Sequence, residues 1–323
     1  MLQTYQQLQE KGDTIILNKH PYFLGIDCGG SASRAMVIDA NGEIVFEGRS
    51  GPANVATTPR PYLAMSIKRA LDGCPKADYV CGCFAGLIAP EYSTMIESML
   101  KEFLPEAKIS VFPDFRAALA ATRDTEAICV LSGTGSLICS LDKDGIVRKT
   151  GGGGVLIGDE GSTYCIGRKV LQYYVRNKPE DISDTLHEAI PRIFGVKDPQ
   201  AVVARVYRDL TPAARIAMLV PTVARDWDAG EPYAKQIICT EMNLLAQLTK
   251  KHLMDYSPDK TNRPIYLAGG LWNVSSVFKE VFERELKTVF PESGGKTQKI
   301  SQPPVSGAAL LAKEMYEKEI LKP

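Results

Sequence analysis

From Tyr22 onward, short apolar runs alternate with breaks made of glycine, proline and small polar residues. The runs Tyr22–Asp27, Arg34–Asp39 and Glu43–Glu47 have the length and composition of strands, separated by a glycine-rich loop (Cys28–Ser33) and by Asn41-Gly42. Asn-Gly between apolar runs predicts a two-residue hairpin turn with positive φ at both positions. Thr58-Pro59-Arg60-Pro61 then opens a helix that gathers Leu63, Ile67, Ala70 and Leu71 on one face. A strand over Asp78–Phe84, a helix over Pro90–Leu104, a strand over Lys108–Phe112 and an alanine-rich helix over Arg116–Ala121 complete a first unit.

The pattern restarts in "AICVLSGTGSLICSLDKDGIVRKTG", which runs strand, glycine loop (Ser132–Ser136), strand, Asp144-Gly145 turn, strand. Aligned with Phe23–Gly48 it keeps the order of elements and nearly the same loop spacing with few identical residues, which reads as an internal duplication. A helical region follows Gly161, with Ile166, Val170 and Tyr174 spaced four apart, and amphipathic segments continue to about Lys251. The strand in "PIYLAGG", a helix from about Ser275 to Val289 and a terminal helix from Val305 close the chain. The expectation is an α/β protein of two duplicated domains with a cleft between them. Residues 1–21 form an N-terminal extension, 22–126 one domain and 127–304 the other, with helix 305–323 packing back on the first.

Composition narrows the function. A chain of 323 residues can bury two cores. Its 38 basic and 38 acidic residues cancel, and no run of Lys or Arg gives the electrostatic footprint of a nucleic-acid binder, so a small-molecule partner is expected. Eight cysteines lie mostly in apolar strand-like runs without a Cys-x-x-Cys pair or zinc spacing, and read as reduced core residues. No apolar run reaches the roughly 18 residues that span a bilayer, and no long apolar segment opens the chain; the expected location is cytoplasmic, away from membranes.

The glycine loops are the candidate chemistry. A Rossmann loop leads from strand to helix, whereas "DCGGSAS" leads into a second strand, and no Gly-Lys-Ser/Thr follows as a Walker A loop requires. Two strand-loop-strand hairpins with glycines and hydroxyls at the bend can face each other and offer backbone N–H groups to a polyphosphate. Asp27 and Asp114 end strands, where ligand sites of α/β sheets lie. Asp114 is equally an N-cap for "FRAALAA", Ser162 is a natural N-cap, and Gly151–Gly154 can be a flexible loop or, with Asp159-Glu160 behind it, one side of a ligand site.

Taken together these motifs resemble the actin, Hsp70 and sugar-kinase superfamily, and within it the BadF/BadG/BcrA/BcrD ATPase family, which includes N-acetylglucosamine kinases. The resemblance runs from about Tyr22 to Met315. "GIDCGGSASRAMVIDANGEI" resembles the first phosphate motif, "GPANVAT" a sugar-holding segment, "FPDFRAALAA" the stretch with the catalytic aspartate, "LSGTGS" the second phosphate motif, "GGGGVLIGDEGS" the substrate segment, "LAGGLW" the adenosine motif and "PPVSGAALLA" the closing helix. It implies two ribonuclease H-like domains and an ATP- and Mg²⁺-dependent kinase of an amino sugar, acting as a homodimer. ATP would be held by Gly29, Gly30, Ser31, Gly133, Thr134, Gly135, Gly269 and Gly270, and Asp27 would meet Mg²⁺ through water. The sugar would be held by Asn54, Ser136, Gly152, Gly153, Gly154 and Asp159, with Asp114 as base. Family N-acetylglucosamine kinases carry Gly-Trp-Gly where this chain has Gly153, which leaves room for larger, muramic-type sugars. Two other readings follow from the same superfamily, an ATPase that activates a dehydratase and a non-catalytic sugar or nucleotide sensor.

Overall fold

The computed structural model describes residues 21–257 and 262–321, so the extension assigned to residues 1–21 lies, but for its last residue, outside the described residues. Five strands, β1 (Phe23–Cys28), β2 (Ser33–Ile38), β3 (Ile44–Ser50), β4 (Tyr79–Phe84) and β5 (Lys108–Pro113), form a sheet in the order β3-β2-β1-β4-β5. Strand β2 is antiparallel to both neighbours, while β1, β4 and β5 run parallel. A second sheet is built from β6 (Ile128–Ser132), β7 (Ser136–Leu141), β8 (Val147–Gly151), β9 (Ile265–Ala268) and β10 (Thr297–Lys299). Its order is β8-β7-β6-β9-β10 with the same directions. Order and direction coincide strand for strand, so the duplication extends to topology.

The hairpin turns differ from the expected form. Gly42 has φ +89°, but Asn41 does not share a positive φ. The turn is a longer connection in which Asp39 accepts from the amides of Asn41 (2.8 Å) and Glu43 (2.9 Å). A carboxylate has replaced the two-residue turn geometry as the closing device. The second hairpin repeats it 103 positions on, where Asp142 accepts from the amides of Asp144 and Ile146, both at 2.9 Å, and Gly145 has φ +73°.

Alternation along the strands sends side chains to two faces. On one face of the first sheet Leu24 and Ile26 meet Leu63 and Ile67 of α1 (Arg60–Ala70) and Ile96 and Leu100 of α2 (Pro90–Phe103). The other face, with Phe23, Met36, Cys81 and Cys83, is covered by the C-terminal helix, Pro304–Ile320, through Val305, Ala308, Ala309 and Ala312. That contact is backbone-close: a β-carbon on Gly25 would lie 2.2 Å from the Ala309 nitrogen, and one on Gly307 1.9 Å from the Ala117 carbonyl oxygen.

Helix α3 (Phe115–Ala121) joins the halves, because Ala118 and Leu119 pack with Cys129, Cys139 and Ala268 of the second sheet. The expected helical region is a layer of six helices: α4 (Thr163–Arg176), α5 (Asp184–Phe194), α6 (Pro199–Tyr207), α7 (Pro212–Ala217), α8 (Val220–Asp228) and α9 (Pro232–Tyr256). With α10 (Ser276–Val289) it buries the largest core against Ile128, Val130 and Ile138. The C-terminal helix is α11. All eight cysteines are free thiols, six of them buried. Among the described residues no helix is long and apolar enough to cross a membrane.

Candidate active site

The glycine loops of the two hairpins touch. Ser31 at the β1–β2 bend and Thr134 at the β6–β7 bend place their hydroxyl oxygens 2.7 Å apart. Gly29 closes its loop by donating to the Ala32 carbonyl, and Gly133 donates to Gly135, both at 2.9 Å. The amides of Gly30, Ser31, Thr134 and Gly135 donate to no other described residue. Four N–H groups left unengaged on two touching bends are donors of the kind an anion takes. Thr163 at the start of α4 anchors the second bend, its amide and hydroxyl both donating to the Gly133 carbonyl at 2.8 Å. Gly270 lies alongside: its nitrogen is 3.8 Å from where a Gly133 β-carbon would stand. Gly269, with φ +106°, packs against Ser132 so tightly that a β-carbon would lie 2.2 Å from that residue's carbonyl oxygen.

Beneath the bends lie the carboxylates at the strand ends. Asp27 is pushed up to about 7, first by desolvation and then by the charge of Asp114, against the pull of Arg34. Asp114 is pushed up to about 6 by desolvation and by Asp159, opposed by backbone N–H donors and by Lys149. Asp114 is the N-cap of α3, yet its backbone is helical (φ −55°, ψ −33°) and its side chain accepts from the adjacent Phe115 amide at 3.0 Å, not from the second or third turn position. The second carboxylate oxygen has no protein donor among the described residues.

Asp159 closes the group from the other half. It is 5% exposed, has φ +63°, and accepts from the Gly154 amide at 3.2 Å. Desolvation raises its pKa, while the amides of Gly154 and Ser136 and the charge of Lys149 pull it down. A β-carbon on Gly135 would lie 2.8 Å from its Oδ2, so the bare backbone of the second bend is what admits this carboxylate. Ser136 is buried and its hydroxyl donates to the Glu160 carbonyl at 2.6 Å. Gly152 and Gly154 take positive φ, at +68° and +83°, and Gly153 does not.

Asn54 belongs to the first half. Ala53 donates to the Gly29 carbonyl (3.0 Å) and Val55 to the Ala85 carbonyl (2.9 Å), which fixes the segment beside the ends of β1 and β4. The Asn54 side chain accepts from the Ala56 amide at 3.0 Å, and Gly86 is bare where a β-carbon would meet Asn54 Oδ1 at 2.3 Å.

Three contributors escape a linear reading. Lys149 acts electrostatically on both Asp114 and Asp159. Glu241, buried in α9, accepts from the Gly161 amide at 2.8 Å and pairs with Lys169 at 3.4 Å, holding the Gly-Asp-Glu-Gly segment. Gly86 is signalled only by a glycine after a strand. Lys149 stands two residues before the Gly151–Gly154 loop without being one of its motif residues, Glu241 stands far from any motif, and only the fold ties both to the carboxylates.

Comparison with known proteins agrees with this architecture. An N-acetylmuramic acid/N-acetylglucosamine kinase of Clostridium acetobutylicum is 26% identical over 281 residues, covering 84% of this chain and 92% of that protein. An N-acetyl-D-glucosamine kinase of Dictyostelium discoideum is 21% identical over 90% of this chain and 97% of that one. Among solved structures, a Porphyromonas gingivalis protein provisionally named an N-acetylglucosamine kinase has the same fold, with a TM-score of 0.72 at 21% identity over 91% of this chain and 99% of that chain. The family model of the BadF/BadG/BcrA/BcrD ATPases matches residues 24–312, nearly the whole described chain, and the protein belongs to that family.

Proposed function

We propose that this protein is an ATP- and Mg²⁺-dependent kinase that transfers the γ-phosphoryl group to a hydroxyl of an amino sugar of the N-acetylglucosamine, glucosamine or muramic type. The observation that carries the reading is the meeting of two glycine bends, with free amides on both, over the desolvated carboxyls of Asp27 and Asp114. The named relatives support the substrate class.

The residues present fit the nucleotide and its cation. The bends offer bare glycine backbone beside the small hydroxyl side chains of Ser31 and Thr134, and Asp27 is a hard oxygen donor. Among the described residues no three His, Cys, Asp or Glu side chains form a cage of their own, which suits an ion that keeps waters and takes phosphate oxygens. When bound, MgATP supplies the transferable phosphoryl group and its charge neutralisation. The amides of Gly30, Ser31, Thr134 and Gly135 orient the phosphates, Gly29 and Gly133 shape the bends, and Gly269 and Gly270 admit the nucleoside. Asp27 orients the cation's water shell. Asn54, Asp159, the Gly152–Gly154 loop and Ser136 position the sugar, Ser136 through the segment that its hydroxyl anchors. Asp114, ionised above about pH 6, takes the proton of the attacking hydroxyl. Closure of residues 22–126, with α11, onto residues 127–304 excludes water as the competing acceptor. The same reading makes the enzyme cytoplasmic and homodimeric; light scattering at micromolar concentration tests the dimer.

The test is ADP release with N-acetylglucosamine, glucosamine and N-acetylmuramic acid as acceptors. Turnover that depends on one of them is expected. ATP consumption indifferent to every sugar, or none at all, overturns the reading.

A further inference from the structure

A cavity of about 490 Å³ opens beside the sugar segment, within the size range of small-molecule sites, roughly 300–1,000 Å³. Pro52 and Thr58 form part of its wall, and Thr58 donates to the Asn54 carbonyl at 2.9 Å, so the cavity adjoins the residue assigned to the sugar. Its opposite wall comes from the other half, at the α6–α7 junction.

The lining is electrically lopsided. Arg69, Arg205, Arg208 and Arg215 face it against a single carboxylate, Asp209, in a chain whose charges cancel overall. Asp209 is already taken by Arg215, which also donates to the Ile193 carbonyl at 3.0 Å. The side chains of Arg69, Arg205 and Arg208 make no ion pair or hydrogen bond to another described residue. Three arginines without a side-chain partner among the described residues, Arg69 of α1 and Arg205 and Arg208 at the end of α6, thus line one space. Each presents a planar fork matched to a carboxylate. Tyr62 and Met65 add apolar surface next to them, which suits a carbon-bearing arm that ends in the charge.

We propose that this cavity is an anion subsite that receives the carboxylate-bearing arm of an acidic amino sugar, while Asn54 and Asp159 hold the ring. The inference rests on the amino-sugar kinase reading and deepens it. Because Arg69 belongs to the first half and Arg205 and Arg208 to the second, a bound carboxylate bridges the halves and favours their approach. A neutral sugar leaves the three cations unpaired.

The test compares N-acetylmuramic acid with N-acetylglucosamine, which differ by the lactyl ether alone. Calorimetric binding of each sugar and kcat/KM for each are measured on wild type, R69Q, R208Q and the double variant. The arginines are exposed and unpartnered, so the variants fold, and a melting curve checks it. Wild type is expected to prefer the acidic sugar, each substitution to lower the acid-to-neutral ratio about tenfold, as loss of a charged hydrogen bond does, and higher salt to erode it. Equal handling of both sugars by wild type, or a ratio unmoved in the double variant, overturns the subsite while leaving the kinase reading intact. Failure of wild type to bind or phosphorylate either sugar overturns both together.

Discussion

Ser31 and Thr134 stand 103 residues apart at corresponding bends of the two hairpins, and their hydroxyl oxygens meet at 2.7 Å. The duplicated halves therefore touch through equivalent positions, at the place where the free amides of both loops converge. Thr134→Val keeps the volume and removes the hydroxyl. Nucleotide affinity should fall several-fold to tenfold, as expected for a hydrogen bond near a charged ligand, while the melting temperature hardly moves because the pair is exposed. Titration of a non-hydrolysable ATP analogue checks this.

Asp114 caps α3 with one oxygen and leaves the other free. Asparagine preserves the cap but cannot accept a proton. Asp114→Asn should retain the wild-type melting temperature and nucleotide binding while kcat falls by about 10²–10⁴. In wild type, kcat/KM should decline with decreasing pH below about 6, where the carboxyl becomes protonated. Near-normal turnover in the variant would leave Asp114 only a cap.

Asp27 links pH to stability in the opposite direction from an ordinary surface carboxylate. Its folded pKa, about 7, lies above the unfolded value near 3.8, so between those limits the folded state binds the extra proton. Stability from this group is full below pH 4 and is lost as pH rises to 7. The ligand-free protein with Asp27→Asn should gain stability over wild type at pH 8, on the order of a few kcal/mol, and only about a third of that at pH 5. Melting curves at the two pH values decide it.

Glycines 133 and 269 separate a ligand effect from a folding effect. A β-carbon on Gly133 finds its nearest neighbour 3.8 Å away, whereas Gly269 has φ +106° and no room beside Ser132. Gly133→Val should fold normally and lose nucleotide affinity at least tenfold. Gly269→Ala should destabilise the fold by about 1–3 kcal/mol or more, from backbone strain and the displaced β9 end. Denaturation and nucleotide titration of both variants distinguish them.

The two hairpins were legible in the chain because glycine bends and period-two strands are local signals; β1 and β2 fall within one residue of where the apolar runs place them, while β3 runs three residues past the expected end, to Ser50. The turn type was not, because Asp39 and Asp142 close their hairpins through side chains that a dipeptide rule ignores. Asp27, Asp114 and Asp159 stand out as carboxylates at strand or loop ends. Lys149 and Glu241 do not, since one lies in an unremarkable strand and the other inside a 25-residue helix. The arginines around the cavity show no run in the sequence because Arg69 and Arg205 are brought together only by the packing of the two halves.

The contact of α11 with β1 and α3, through Gly25 and Gly307, sets an order for folding on the ribosome. The second half can bury its core once residues up to the strand at Thr297–Lys299 have emerged. The first sheet, although synthesised earlier, keeps Phe23, Met36, Cys81 and Cys83 bare until the last helix arrives. The half that begins synthesis is thus the last to be finished, and a chain stopped before Pro304 would leave an apolar sheet face open to aggregation.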